Sequence, residues 1–526
     1  MKQVKKPRKQ KKRDLTAKTT TPPPNLEMQI VNPKAGAVDL GSREQYVCVG
    51  LNRREDVRIF GNTTTELNDL SDWLELRGVT QFAMESTGHY WYALHDILTK
   101  RNKIEVILVN GRFSKNISGR KSDLMDCEWL YKLHSFGLLR GSFLTDAITD
   151  DLKRLTRHRQ NLVRESVRYM ARVGKCLRRM NIVLDAVLSS LQSVSGHKMI
   201  EAMIRGERDA AVLADLADKH VKSSREKRIA ALTGNWHESS MFEIKQCYDS
   251  YVLSNRQIDE LDLQINAVLA KTVSNTEGVY QPFAKVEKPQ EVQYPILEAQ
   301  KETPKEASEN IEPPLQYTKS QVFNQKKSGQ PKDERLPIQR VKRTHHTHEI
   351  PFDIQGYGYK LWGTDLFDIP GIGRESVLML ISEIGGLKNW QKFPTAGHFS
   401  AWLGLLPNNR ISGGKVLSSH RIRKDNRVSN TLRNAAASLL KEGVKKTTAL
   451  HRFGQRILHK KGKTAAVVAL ASKMAKIIWH CITKQEPFKQ PSLAEYEQTA
   501  RQQTLRTMQK KIFSLNITAE ELSILV

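Results

Sequence analysis

Between Gly36 and about Gly137 the order of local patterns restricts the fold more than any other feature of the chain. Three short β-rich runs come first, at 37–40 (AVDL), 45–51 (QYVCVGL) and 57–60 (VRIF). Leu67, Leu70 and Leu74 then recur at helical spacing, 79–84 reads as a strand, and Trp91, Leu94 and Leu98 mark a second helix. A strand at 104–109 and a helix from about Ser122 complete the series. The predicted order is β-β-β-α-β-α-β-α, a layered α/β unit that several α/β folds share.

Outside the α/β unit, the basic arm and a proline-rich segment, the chain reads mainly as helix. From 151 to about 272 it is helical and polar: Leu155, Leu162, Tyr169 and Cys176 recur every seven residues, with Val163, Met170 and Leu177 beside them. Ile258, Leu261, Ile265 and Val268 form a second stripe, so an antiparallel helical pair or a coiled coil is expected. Residues 151–180 carry ten Lys or Arg against two acids, a basic face that is either solvated or set against nucleic acid. From 273 to 350 lie eight of the chain's 19 prolines among Lys, Glu, Gln and Ser, the composition of an extended insertion or linker. The expected organisation is a disordered basic arm (1–30), an α/β domain (31–145), a coiled-coil region (146–272), the insertion (273–350), a mainly helical domain (351–485) and a C-terminal helical tail (486–526).

Charge narrows the partner. The 526 residues hold 84 Lys plus Arg and 56 Asp plus Glu, a formal charge of +28 that points to a polyanion. Eight of those cations fall in the first 13 residues, with no acid among them. No apolar run approaches the roughly 20 residues of a membrane span, so no membrane partner is expected. The five cysteines form no C-x-x-C pair, which suits a reducing, cytoplasmic compartment.

Four acids stand out within the α/β region. Asp39 interrupts an apolar strand, where a charge is costly without a task. Glu85 ends a later strand, and Asp123 and Asp126, three apart, share a helix face. The element order is that of a ribonuclease-H-like sheet, in which all four carboxylates could converge. Oxygen ligands of this kind select Mg²⁺ or Mn²⁺, the ions that stabilise attacking and leaving oxygens in phosphoryl transfer. Taken singly, each acid also fits a turn or a helix first turn.

Two motifs lie in the helical C-terminal half. Pro370-Gly371-Ile372-Gly373 before an apolar helix is a helix-hairpin-helix signature, in which Gly371 and Gly373 allow backbone N–H groups to approach a phosphate; a plain interhelical turn has the same form. Ser412 precedes two glycines in RISGGK, with Arg410, Lys415, Arg421, Arg423 and Lys424 around it. A serine attacking phosphate needs such cations to stabilise the developing charge, although Ser-Gly-Gly is also an ordinary turn.

Asp39 in AVDLG, Glu85 in ESTG, Asp123 and Asp126 in KSDLMD, then IPGIG, AWLGLLP and SGGK, in this order, resemble the DEDD transposases of bacterial insertion sequences related to the Piv DNA invertases. The resemblance covers about 36–140 and 361–482. It implies a RuvC-like (ribonuclease-H fold) domain holding Mg²⁺ or Mn²⁺ on Asp39, Glu85, Asp123 and Asp126. It also implies a transposase domain with Ser412 as nucleophile and a covalent serine–DNA link, in a site drawn from different subunits. Donor and target DNA, a structured bridge RNA, a dimeric or tetrameric homo-oligomer and a place beside the bacterial nucleoid are implied as well. Ser122 and Cys127 stand where family members usually have Thr and Ala, and Asp425 where a glycine is common. The basic arm and the 273–350 insertion lie outside the family core. The same acids would serve a metal-dependent, junction-resolvase-like nuclease using water, or a DNA invertase; a non-catalytic binder would gain nothing from them.

Overall fold

In the computed structural model the described residues are 29–86, 88–111, 122–274, 348–419, 421, 424, 426–441 and 448–514. The basic arm before residue 29, most of the 273–350 segment and Arg423 lie outside the described residues. Two compact units result, divided between Leu144 and Thr145.

The first unit is a mixed five-stranded sheet with helices on both faces. Its strands are β1 (Ala35–Leu40), β2 (Gln45–Cys48), β3 (Val57–Phe60), β4 (Gln81–Glu85) and β5 (Glu105–Val109). Their order across the sheet is β3-β2-β1-β4-β5; β1, β2 and β3 pair antiparallel, and β4 and β5 join β1 in parallel. Alternation along the strands separates two faces. Val38, Leu40, Phe82, Met84 and Leu108 pack with Leu67, Leu70 and Leu74 of α1 (Thr64–Leu76) and with Leu94 and Leu98 of α2 (Trp91–Arg101). The opposite face offers the small side chains Ala37 and Ala83, on which Leu130 of α3 (Asp123–Ser135) rests. Among the described residues the predicted element order is met. Thr63 and Glu66 close a capping box that sets the start of α1, and Ser122 caps α3 by accepting from the Met125 N–H.

The second unit is built on two long antiparallel helices, α4 (Ala147–Arg179) and α9 (Glu238–Ser274). Pairing of Arg159 with Asp262, Ser166 with Asn255 and Arg179 with Glu243 fixes their direction and register. The chain between them forms four short helices, α5 (Leu184–Val187), α6 (Val194–Ile204), α7 (Ala210–Asp215) and α8 (Arg225–Leu232). These share a core with one end of the pair, including Met170, Val173, Leu177, Met199, Met203, Leu213, Ile244 and Tyr251.

The remaining helices are α10 (Ile354–Trp362), α11 (Arg374–Glu383), α12 (Leu387–Trp390), α13 (Ala396–Trp402), α14 (Arg427–Leu439), α15 (Ala449–Lys461), α16 (Lys463–Lys484) and α17 (Leu493–Ser514). Trp362, Trp390, Phe393, Phe399 and Trp402 form an aromatic cluster among them. The indole N–H groups of Trp362 and Trp390 both donate to the Gly385 carbonyl, at 3.0 and 3.2 Å. Contrary to the sequence expectation, α16 is long and apolar enough to cross a membrane; half of that apolar stretch is buried inside the unit, where Leu470, Met474 and Ile478 are covered.

Candidate active-site residues in two units

Asp39 and Glu85 occupy equivalent places on neighbouring parallel strands. Val38 pairs with Met84 in register, so each acid follows its strand's paired position at the carboxyl end. Both lie two residues beyond Ala37 and Ala83, and therefore on the face that α3 covers. Glu85 is buried and Asp39 half-buried. A Cβ placed on Gly111, just after β5, would come 2.4 Å from Glu85 Oε1, so a side chain there would displace the Glu85 carboxyl. The V-N-G sequence after β5 was the available signal for this residue, and sequence reasoning passed over it.

Helix α3 brings Asp123 and Asp126 to the same face in its first turn. It is held there by Cys127, whose thiol donates to the Tyr46 carbonyl at 2.8 Å and lies 3.5 Å from that of Ala37. Burial pushes the Cys127 thiol well above its ordinary range, so it remains a proton donor. Asp123 is exposed and sits within electrostatic reach of Tyr46, the residue opposite Asp39 in the β1–β2 ladder. The Tyr46 hydroxyl is raised chiefly by its hydrogen bond to Glu44, with Asp123 adding to the effect. Arg53 forms a two-pronged ion pair with Glu128 of the same helix and holds its carboxyl below the usual range.

Asp39 and Glu85 thus lie on the sheet face that α3 covers, and Asp123 and Asp126 lie in the first turn of that helix. Among the described residues no three His, Cys, Asp or Glu side chains stand close enough together to hold a metal ion. Mutual repulsion of four carboxylates opposes such a cluster in the protein alone. In chemistry the set still fits a hard divalent cation, being all oxygen.

Ser412 belongs to the second unit. It ends β6 (Arg410–Ser412) and pairs with Lys415 at the start of β7 (Lys415–Ser418). Gly413 and Gly414 form the two-residue connection with φ of 55° and 74°, the left-handed pair that a tight hairpin requires. The serine, Arg410 and Lys415 are all exposed, and so are the apolar neighbours Ile411, Val416 and Leu417. Arg421 is half-buried. Lys424 donates to the Ala401 and Trp402 carbonyls at the end of α13, at 3.1 and 3.4 Å, which ties the chain beyond the hairpin to the aromatic cluster.

At the Pro-Gly-Ile-Gly turn, Gly371 has φ of 86°, and an added Cβ would meet Leu439 at 3.0 Å and the Ala435 carbonyl at 3.2 Å. That side of the turn packs on α14. Gly373 faces open space and caps α11, which leaves its backbone accessible.

Comparison with known proteins finds similarity to one class, the transposases. An IS110-type DEDD transposase model matches residues 37–182, and the model described as "Transposase IS116/IS110/IS902 family" matches 364–451. Over these two segments the chain is similar to transposases of that family. It is 30% identical over 122 residues to the "Transposase for insertion sequence element IS1111A" of Coxiella burnetii, covering 23% of this chain and 33% of that protein. It is likewise 30% identical over 121 residues to the "Probable family 20 transposase" of Pseudomonas aeruginosa, covering 23% and 35%. The matched segment therefore spans about a third of each curated relative's length.

Proposed function

We propose that the protein is an insertion-sequence recombinase that cleaves and rejoins DNA, with the 31–145 region acting as a RuvC-like, ribonuclease-H-type catalytic domain and 351–485 as a helix-hairpin-helix transposase domain. The observation that carries this reading is the in-register placement of Asp39 and Glu85 on adjacent parallel strands, under the helix that bears Asp123 and Asp126. Mg²⁺ or Mn²⁺ held by these carboxylates would supply the positive charge that offsets a phosphate in phosphoryl transfer.

The chain's own groups carry the rest. The Ser412 hydroxyl attacks the scissile phosphorus, a phosphoserine ester forms, and the DNA end leaves as a free hydroxyl. Attack by the hydroxyl of a second DNA end on that ester reverses the step and returns the serine. Arg410 and Lys415, beside Ser412 on the hairpin, offset charge on the phosphate oxygens. The backbone at Gly371 and Gly373, with Arg421, Arg423 and Lys424, contributes non-specific contacts to the strand. A structured guide RNA and assembly into a dimer or tetramer complete the reading, in the cytoplasm beside the nucleoid.

A suicide DNA substrate incubated with the protein in Mg²⁺ tests it. Wild type is expected to give a covalent protein–DNA adduct, and Ser412→Ala and Asp39→Ala to give none. An adduct that survives Ser412→Ala overturns the nucleophile; strand cleavage without any adduct favours water attack and a metal-only nuclease. Sequencing of copurifying RNA is expected to return one discrete structured species, and bulk cellular RNA alone would exclude the guide.

A further inference from the structure

Helix α4 treats its cations in two ways. In its first half they are matched by acids: Arg154 with Asp150, Arg157 with Glu383 at 2.7 and 2.8 Å, and Arg159 with Asp262. In its second half, among the described residues, Arg164, Arg168, Arg172 and Lys175 form no ion pair with a carboxylate. Arg164 donates to the neutral Asn161, and the Arg172 guanidinium lies 5.7 Å from the Tyr169 ring centre. All four are exposed.

Successive spacings of four, four and three residues place these four on one face, over about 17 Å of helix. Lys175 lines an open cleft of about 630 Å³ together with Ala171, Gly174 and Leu191. Arg178 and Arg179 line the same cleft, where they are paired with Asp185 and Glu243. The helix dipole favours cations only in the last turn, so it accounts for Arg178 and Arg179 but not for charges at 164, 168 and 172. Like charges spaced three and four residues apart on an exposed helix face repel one another weakly, and a polyanion lying along them would offset that repulsion.

We propose that this face of α4 binds the backbone of duplex DNA without sequence preference, outside the reacting phosphate. The inference rests on the recombinase reading for its choice of DNA. Its choice of a duplex rests on the face itself: single strands are held by successive stacking aromatics, and Tyr169, half-buried beneath Arg172, is the one aromatic side chain there. Duplex DNA carries one charge per about 1.7 Å of axis, so a 17 Å stripe has phosphates within reach of every cation.

The test is fluorescence anisotropy with the full chain on a 30-bp DNA duplex of arbitrary sequence, a DNA single strand and an RNA duplex, across a salt series. The combined variant Arg164→Ala/Arg168→Ala/Arg172→Ala/Lys175→Ala is expected to bind the DNA duplex at least about tenfold more weakly. Its slope of log affinity against log salt is expected to fall by about 3 to 4, near 0.9 per lost phosphate contact. Circular dichroism checks that it is folded. The control Arg501→Ala/Arg506→Ala/Lys510→Ala/Lys511→Ala removes as much charge from α17 and is expected to change the slope far less. An equal loss in the control overturns the site, and a loss confined to RNA or to single strands overturns the assignment to duplex DNA. Binding is read without cleavage, so the two readings fail separately: an adduct with an unchanged slope in the combined variant leaves the serine chemistry and removes the stripe. A lost slope without any adduct does the reverse.

Discussion

His134 lies in the last turn of α3, buried against the sheet. Burial lowers its pKa below the usual histidine value of 6.5. The sign follows from linkage: the unfolded chain takes up a proton at higher pH than the folded one, so stability is full above about 6.5 and is lost as pH falls toward the depressed folded value. Thermal unfolding of the first unit should therefore move to lower temperature between pH 7.5 and 5.5, and His134→Gln should flatten part of that slope. An unchanged slope in the variant would remove His134 as the cause. Asp39 in β1 and the pair Asp123 and Asp126 in α3 stand out in the sequence because a charge in an apolar strand and a pair three apart on a helix are local signals. Gly111 and Cys127 do not, since what they touch, the Glu85 carboxyl and the Tyr46 carbonyl, is brought near only by the sheet.

Among the elements, the strands followed their period-two patterns closely, with shifts of one to three residues at their ends. The long helical pair matches its periodic pattern in part: Leu162, Met170, Cys176, Leu177, Ile258 and Ile265 are buried as expected. Leu155 and Tyr169 were expected in it and are half-buried, whereas Thr156, Arg159 and Ser166 are buried there. Hydrophobic periodicity cannot detect such residues, because their partners Asp262 and Asn255 are about 90 to 100 positions away. Arg159 is 2% exposed; it bonds Asp262 through two nitrogens, Glu375 at 3.2 Å and the His348 carbonyl at 3.0 Å. Asp262→Ala should leave that guanidinium buried without its main counter-charge and cost about 3–5 kcal/mol in urea unfolding, while Arg159→Met with Asp262→Leu should recover most of the loss. At the hairpin before α11, Gly371→Ala forces a left-handed backbone on a residue with a Cβ and presses on Leu439. A loss of about 1–3 kcal/mol is expected from the same measurement.

At the level of the whole molecule, two units with separate cores are expected to unfold in two calorimetric transitions. His134→Gln should move one of them and Gly371→Ala the other; a single transition shifted by both variants would mean that the units unfold as one. The overall charge of +28 suggested a polyanion but not where it binds, because composition averages over cations already matched by acids and cations that are not. The two halves of α4 differ in that respect, and only the placed partners distinguish them.

The shared acceptor at Gly385 also has a spectroscopic use. Trp362 and Trp390 are fully buried, with rings 6.2 Å apart, and both indoles are anchored to one carbonyl. Their emission should be blue-shifted, and the pair should transfer excitation readily. Replacing the other six tryptophans by phenylalanine would leave an internal optical gauge of the helical unit, able to follow its loosening while DNA is bound.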